Sequence, residues 1–170
     1  MSQFLVIIRG APASGKTTIA KKLRNFDQRV AWLKVDNFKD FFSEDPSLDH
    51  QQFVDECALA SLRYLLDKGF SVVMEKIFYD PAIIPQAVAL ATDRNIPVKI
   101  FQLTAPLATL QARDKVRPGV KEGCRQPLGD DVIEKIYHQL NETFLSEAIK
   151  LDTEQYSLVD ECVANIRQEL

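Results

Sequence analysis

The chain has 170 residues, 46% of them hydrophobic and 26% charged, with a formal net charge of −3 and a pI near 5.4. Its length suits one domain, here expected over 1–170, and the acidic balance argues against nucleic acid as a partner, since a broad grip on it shows as a basic face or stripe. No membrane contact is expected, because the apolar run Phe4 to Ile8 is far below the roughly 20 residues of a membrane helix and lacks a signal peptide's length and cleavage site; a cytoplasmic location follows.

Phe4 to Ile8 is continuously apolar and rich in β-branched residues, the mark of a central strand buried on both faces. Gly10 to Gly15 is a small-residue turn, and Thr17 to Arg24 places Ile19, Ala20 and Leu23 at helical spacing. Val30 to Val35 predicts a second strand ending at Asp36, followed by one or two helical turns through Phe38, Phe41 and Phe42 that stop before Pro46. Gln52 to Lys68 predicts an amphipathic helix capped by Gly69, Phe70 to Met74 a third strand, and Pro81 to Arg94 a further helix. Val98 to Leu103 reads as the fourth strand and Pro106 to about Arg113 as the next helix.

The stretch Asp114 to Asp130 is charged and carries Pro118, Gly119, Gly123, Pro127 and Gly129, so a mobile lid is expected there. Asp131 to Lys150 reads as a helix, Tyr156 to Val159 as a short last strand, and Asp160 to Leu170 as a closing helix. Alternating strands and helices predict a three-layer α/β fold, a parallel five-stranded sheet with helices on both faces, which binds ligands at the carboxyl ends of its strands. The three cysteines have no metal-ligand spacing: Cys57 and Cys162 read as small core residues, and Cys124 falls in the polar loop. His50 and His138 have no partner at ligand spacing and read as structural or surface residues.

The most specific signal is Gly10, Ala11, Pro12, Ala13, Ser14, Gly15, Lys16 and Thr17, followed by Thr18. It matches G-x-x-x-x-G-K-[ST] between a predicted strand and a predicted helix, where glycines let the backbone turn its N–H groups around phosphate oxygens. Lys16 would reach the β- and γ-phosphates of ATP, and the Thr17 hydroxyl would complete a Mg²⁺ site.

Asp36 and Glu75 each end a predicted strand at the same sheet edge. Asp36 is assigned as the base that orients or deprotonates an acceptor hydroxyl, with an N-cap on the following helix as the alternative. Glu75 is assigned as a Mg²⁺ ligand through water or an acceptor contact, with a surface carboxylate as the alternative. Phe38, Phe41 and Phe42 either wall an acceptor pocket over 37–50 or belong to the core. Arg113 and Arg117, continued at the same interval by Lys121 and Arg125, would bring cations over the γ-phosphate; the alternative is a solvated helix end.

These segments resemble the P-loop small-molecule kinases, the group of gluconate and shikimate kinases, chloramphenicol phosphotransferase and zeta-toxin-like kinases. The resemblance spans nearly the whole chain: the phosphate loop through Thr18, the strand ending Val35-Asp36, Lys68 to Glu75, and Leu110-Gln-Ala-Arg113-x-x-x-Arg117. It implies that Asp36 serves the acceptor hydroxyl, that Arg113 and Arg117 contact adenine or phosphates, and that Leu151 to Thr153 forms a turn beside the adenine. Glu75 is followed by Lys76-Ile-Phe where polynucleotide-kinase-like members carry Asp-x-Thr-Asn, and the substrate arginines of shikimate kinase are missing. The expectation is an ATP- and Mg²⁺-dependent kinase of a small-molecule phosphoacceptor, monomer or homodimer. The alternatives are a polynucleotide 5′-hydroxyl kinase and a non-enzymatic nucleotide-binding regulatory module.

Overall fold

The computed structural model describes residues 2–42, 50–117, 119, 126–143, 145–154 and 159–170. Its strands are β1 (Leu5–Gly10), β2 (Val30–Lys34), β3 (Ser71–Glu75), β4 (Val98–Thr104) and β5 (Ile149–Asp152). The helices are α1 (Lys16–Arg24), α2 (His50–Asp67), α3 (Ile83–Thr92), α4 (Leu107–Lys115), α5 (Asp130–Glu142) and α6 (Val159–Gln168), with a 3₁₀ helix over Val35–Phe41.

All five strands are parallel, in the order β2-β3-β1-β4-β5. Each strand of such a sheet buries both faces, which is why β1 and β3 are apolar almost without interruption. Leu5 and Ile7 pack with Val54, Leu62 and Ala87 of α2 and α3, whereas Val6 and Ile8 pack with Ile19, Leu23 and Ile166 of α1 and α6. A third cluster, Leu110, Ile133, Ile136 and Leu140, joins α4 to α5. Leu62 has no exposed surface, so Leu62→Ala would lose about 2–5 kcal/mol through lost transfer energy and the cavity left behind. Among the described residues no helix is long and apolar enough to cross a membrane.

Two expectations for the last third of the chain are corrected. The helix foreseen over Asp131 to Lys150 stops at Glu142, and Ile149–Asp152 is the fifth strand, paired with Phe101–Thr104 of β4. Of the strand foreseen over Tyr156 to Val159, Val159 opens α6, and 155–158 lie outside the described residues. A strand of four residues, Ile-Lys-Leu-Asp, is too short for its alternation to stand out against a helical period running in from α5.

The stretch foreseen as a lid, Asp114 to Asp130, begins and ends in helices. Asp114 belongs to α4 and is buried, and Asp130 opens α5. Lys121, Cys124 and Arg125 lie outside the described residues, as do 43–49 of the acceptor-side segment. Cys162 is buried as foreseen, while Cys57 is only half-buried; both are free thiols.

Candidate active site

The parallel register brings the ends of β1, β2 and β3 to one level, with Glu75 opposite both Ile8 and Lys34. The phosphate loop leaves β1 at this edge. A Cβ at Gly10 would stand 2.8 Å from both the Leu103 carbonyl oxygen and the Ser14 Oγ, so the chain can turn there only without a side chain. Gly15 caps α1 with φ 91°, and Ala13 is also left-handed at φ 62°. Such turns point successive N–H groups into a concavity that suits an anion.

α1 has neither a side-chain cap nor an acidic residue in its first turn, so its N-terminal donors and partial positive charge face the loop uncompensated. The Ser14 hydroxyl, fully buried in that loop, has no hydrogen-bond partner among the described residues.

Lys16 is buried, and its Nζ donates to the Ala11 carbonyl at 2.8 Å. Burial lowers its pKa from 10.5 to about 8; Glu75 and Asp36 pull it up, while Arg117 and Lys34 push it further down. Thr17 Oγ1 donates to Glu75 Oε1 at 2.8 Å. Glu75 is 3% exposed, which removes the alternative of a plain surface carboxylate.

Asp36 is the second residue of the 3₁₀ helix, whose N-cap is Lys34, so it does not take the N-cap position considered as its alternative role. Its carboxylate lies 2.8 Å from the Lys39 Nζ. From the last turn of α4, Arg113 donates to the Thr153 Oγ1 and carbonyl at 3.0 and 2.8 Å, tying α4 to the segment after β5. Arg117 follows α4 and pairs with Asp114 at 3.1 Å.

These residues share a cleft of about 270 Å³. Pro12, Ala13, Gly15, Lys16, Thr17, Thr18, Asp36, Glu75, Arg113 and Arg117 line it, so most of the expected site residues meet in one place. Gly10, Ala11 and Ser14 form the base of the loop instead. Phe38 and Phe42 pack against the core, Phe41 is 72% exposed, and none of the three lines the cleft. His50 starts α2 against Phe42, and His138 is exposed near Glu134.

Sequence reasoning missed Lys34, Ile77 and Leu128 in the lining, and Arg9, the residue before the loop's first glycine. Arg9 is fully buried and donates to the carbonyls of Phe78 and Thr143, the Thr143 hydroxyl and Gln102 Oε1. It thereby ties β1 to the C-terminal end of α5. A cation inside an otherwise apolar strand, one residue before the loop glycine, was the available signal.

Mg²⁺ takes hard oxygen ligands and is usually held by one or two protein groups plus water and phosphate. The Thr17 hydroxyl and Glu75 carboxylate, adjacent beside the phosphate loop, fit that requirement. Among the described residues no group of three or more His, Cys, Asp or Glu could form an all-protein cage.

The family model of the AAA domain matches residues 5–143. No curated protein matches the sequence. Solved structures do match in fold. The tunicamycin resistance protein of Deinococcus radiodurans is 18% identical with a TM-score of 0.66, covering 96% of this chain and 95% of that one. A gluconokinase of Sinorhizobium meliloti is 14% identical with a TM-score of 0.62, covering 95% and 87%. A chain of the Pnkp1/Rnl/Hen1 RNA repair complex is 22% identical with a TM-score of 0.67, covering 87% of this chain but 48% of that one. With most of its length matched by that model and with the sheet and phosphate loop described above, the chain belongs to the AAA-domain family.

Proposed function

We propose that the protein is an ATP- and Mg²⁺-dependent kinase that transfers the γ-phosphate to a hydroxyl of a small-molecule acceptor. The observation that carries the reading is the convergence of Lys16, Thr17, Asp36, Glu75, Arg113 and Arg117 on one cleft at the carboxyl edge of the sheet. A phosphate loop alone would serve a switch as well as a kinase. A carboxylate at the mouth of β2, with two arginines from the α4 side, supplies what transfer needs: a proton acceptor and positive charge.

Lys16 would leave the Ala11 carbonyl for the phosphates, and the loop N–H groups would hold the β-phosphate at the start of α1. Asp36 would accept the acceptor's hydroxyl proton as its oxygen bonds to the γ-phosphorus. The bond from that phosphorus to the β,γ-bridging oxygen breaks, and ADP leaves. Arg117 and Lys16 face the charge on the moving phosphoryl group, and Arg113 fixes its neighbourhood through Thr153. Mg²⁺, held through Thr17 and Glu75, would neutralise charge on the β- and γ-oxygens.

A polynucleotide 5′-end is the second acceptor class to test, because a chain of an RNA repair complex shares the fold. The net charge of −3 weighs against it. Asp36→Asn tests the assignment of the base: transfer should fall about 100- to 10,000-fold with ATP affinity nearly unchanged. Loss of ATP binding in that variant would remove Asp36 from the acceptor side.

A further inference from the structure

The buried carboxylate of Asp114 touches no surface of the cleft, yet it holds two residues that do. Its side chain is 2% exposed. Oδ2 accepts the backbone N–H groups of Leu128 at 2.7 Å and Gly129 at 3.1 Å, and Gly129 is the N-cap of α5. Oδ1 stands 3.1 Å from Arg117 Nε in an ion pair whose alignment falls short of a hydrogen bond. The Asp114 carbonyl also accepts the Arg117 N–H at 3.1 Å. Arg117 and Leu128 both line the cleft.

A carboxylate is removed from water only at substantial cost unless donors and a cation surround it. Asp114 has both, and they come from the two ends of the chain between α4 and α5. We propose that Asp114 is a positioning residue for the nucleotide phosphates: it fixes the Arg117 guanidinium over the phosphate end of the cleft and sets the start of α5 against it. This role rests on the kinase reading insofar as Arg117 faces the γ-phosphate, but it is a statement about nucleotide binding and needs no acceptor.

The two halves of the role separate by chemistry. In Asp114→Asn the amide oxygen can still accept from Leu128 and Gly129, while the amide nitrogen replaces the negative charge beside Arg117. The test is the ratio of ATP to ADP affinity, measured by titration with Mg²⁺ in a double-mutant cycle. Asp114→Asn and Arg117→Gln should each lower the ATP preference by about fivefold to tenfold, and the double variant should lower it no further. The urea midpoint of Asp114→Asn should fall, but less than that of Asp114→Ala, which also loses the acceptor for Leu128 and Gly129.

Equal losses from Asp114→Asn with and without Arg117, or no loss at all, would overturn the proposal while leaving nucleotide binding intact. A wild type that binds neither nucleotide would overturn the kinase reading itself. Nitrogen-15 relaxation of the Arg117 Nε in the wild type, assigned by its absence in Arg117→Gln, gives a readout independent of any Asp114 variant's folding. A guanidinium as ordered as the backbone is expected, and free rotation would overturn the proposal.

Discussion

The Thr17 hydroxyl donates to Glu75 at 2.8 Å, so the first turn of α1 and the end of β3 are joined by a bond between the two oxygen groups proposed to hold Mg²⁺. Both lie beside the buried ammonium of Lys16, whose charge Glu75 favours more than any other neighbour does. The pair therefore has two tasks: it orders an oxygen-rich corner, and it keeps the loop lysine protonated.

Glu75→Gln separates those tasks, because the amide still accepts the Thr17 hydroxyl but carries no charge. The gain in ATP affinity on adding Mg²⁺ should shrink by about tenfold or more. Titrations with and without Mg²⁺ check this; an unchanged Mg²⁺ dependence would place the cation elsewhere.

Lys16 titrates in the free protein near pH 8, well below its ordinary 10.5. The unfolded chain therefore holds the extra proton between about pH 8 and 10.5, and stability should rise with pH through that window. The gain is limited to about 3 kcal/mol. Lys16→Met, which replaces the buried cation by an apolar chain of similar length, should flatten the rise and abolish nucleotide binding. Urea melts across that pH range are the measurement.

Phosphate binding favours the charged lysine and should raise its pKa. Near pH 8.5 the wild type should take up a proton fraction on binding ATP, and the uptake should vanish near pH 6, where the lysine is already charged. Calorimetry in buffers of different ionisation enthalpy reads that uptake, and zero uptake would show that the lysine stays out of contact with the phosphates.

Arg9 joins β1 to β4, to the turn at Phe78 and to the end of α5 through neutral acceptors alone. Arg9→Met would leave the Gln102 amide and the Thr143 hydroxyl and carbonyl without their shared donor. Leaving a buried acceptor without its donor costs about 1–3 kcal/mol, and the denaturation midpoint should fall accordingly. A midpoint within experimental error of the wild type would mean that α5 holds its place through its apolar face alone.

Gly10→Ala should destabilise even without nucleotide, because the new methyl meets the Leu103 carbonyl and Ser14 at 2.8 Å. Something in β4 or the loop must shift, and a loss of about 1–3 kcal/mol is expected. An alanine variant as stable as the wild type would show that β1 and β4 can part at this point.

The elements with strong local signals were legible in sequence: the β1 run, the glycine loop and α1 stand where their pattern puts them. Four parallel strands were read with ends shifted by a residue or two, because an end is set by pairing with a neighbour rather than by local preference. β5 was misplaced since it has only four residues and exists by virtue of β4 beside it. In the site, Asp36 and Glu75 could be named because a parallel sheet sends strand ends to one edge. Asp114 could not. It reads as the first charged residue of a polar loop, and its burial depends on α5 returning Leu128 and Gly129 to it. Lys34 was hidden for a similar reason: only the register with Glu75 shows that it ends level with the cleft.

The central claim is tested most directly by following label from γ-labelled ATP with Mg²⁺ onto a panel of sugars, nucleosides, nucleotide sugars, aminoglycosides, phenicols and 5′-hydroxyl oligonucleotides, with Lys16→Ala as control. The account predicts lysine-dependent label on one small-molecule class with one ADP formed per label transferred. ATP binding without label on any class, or label confined to the oligonucleotides, would contradict it.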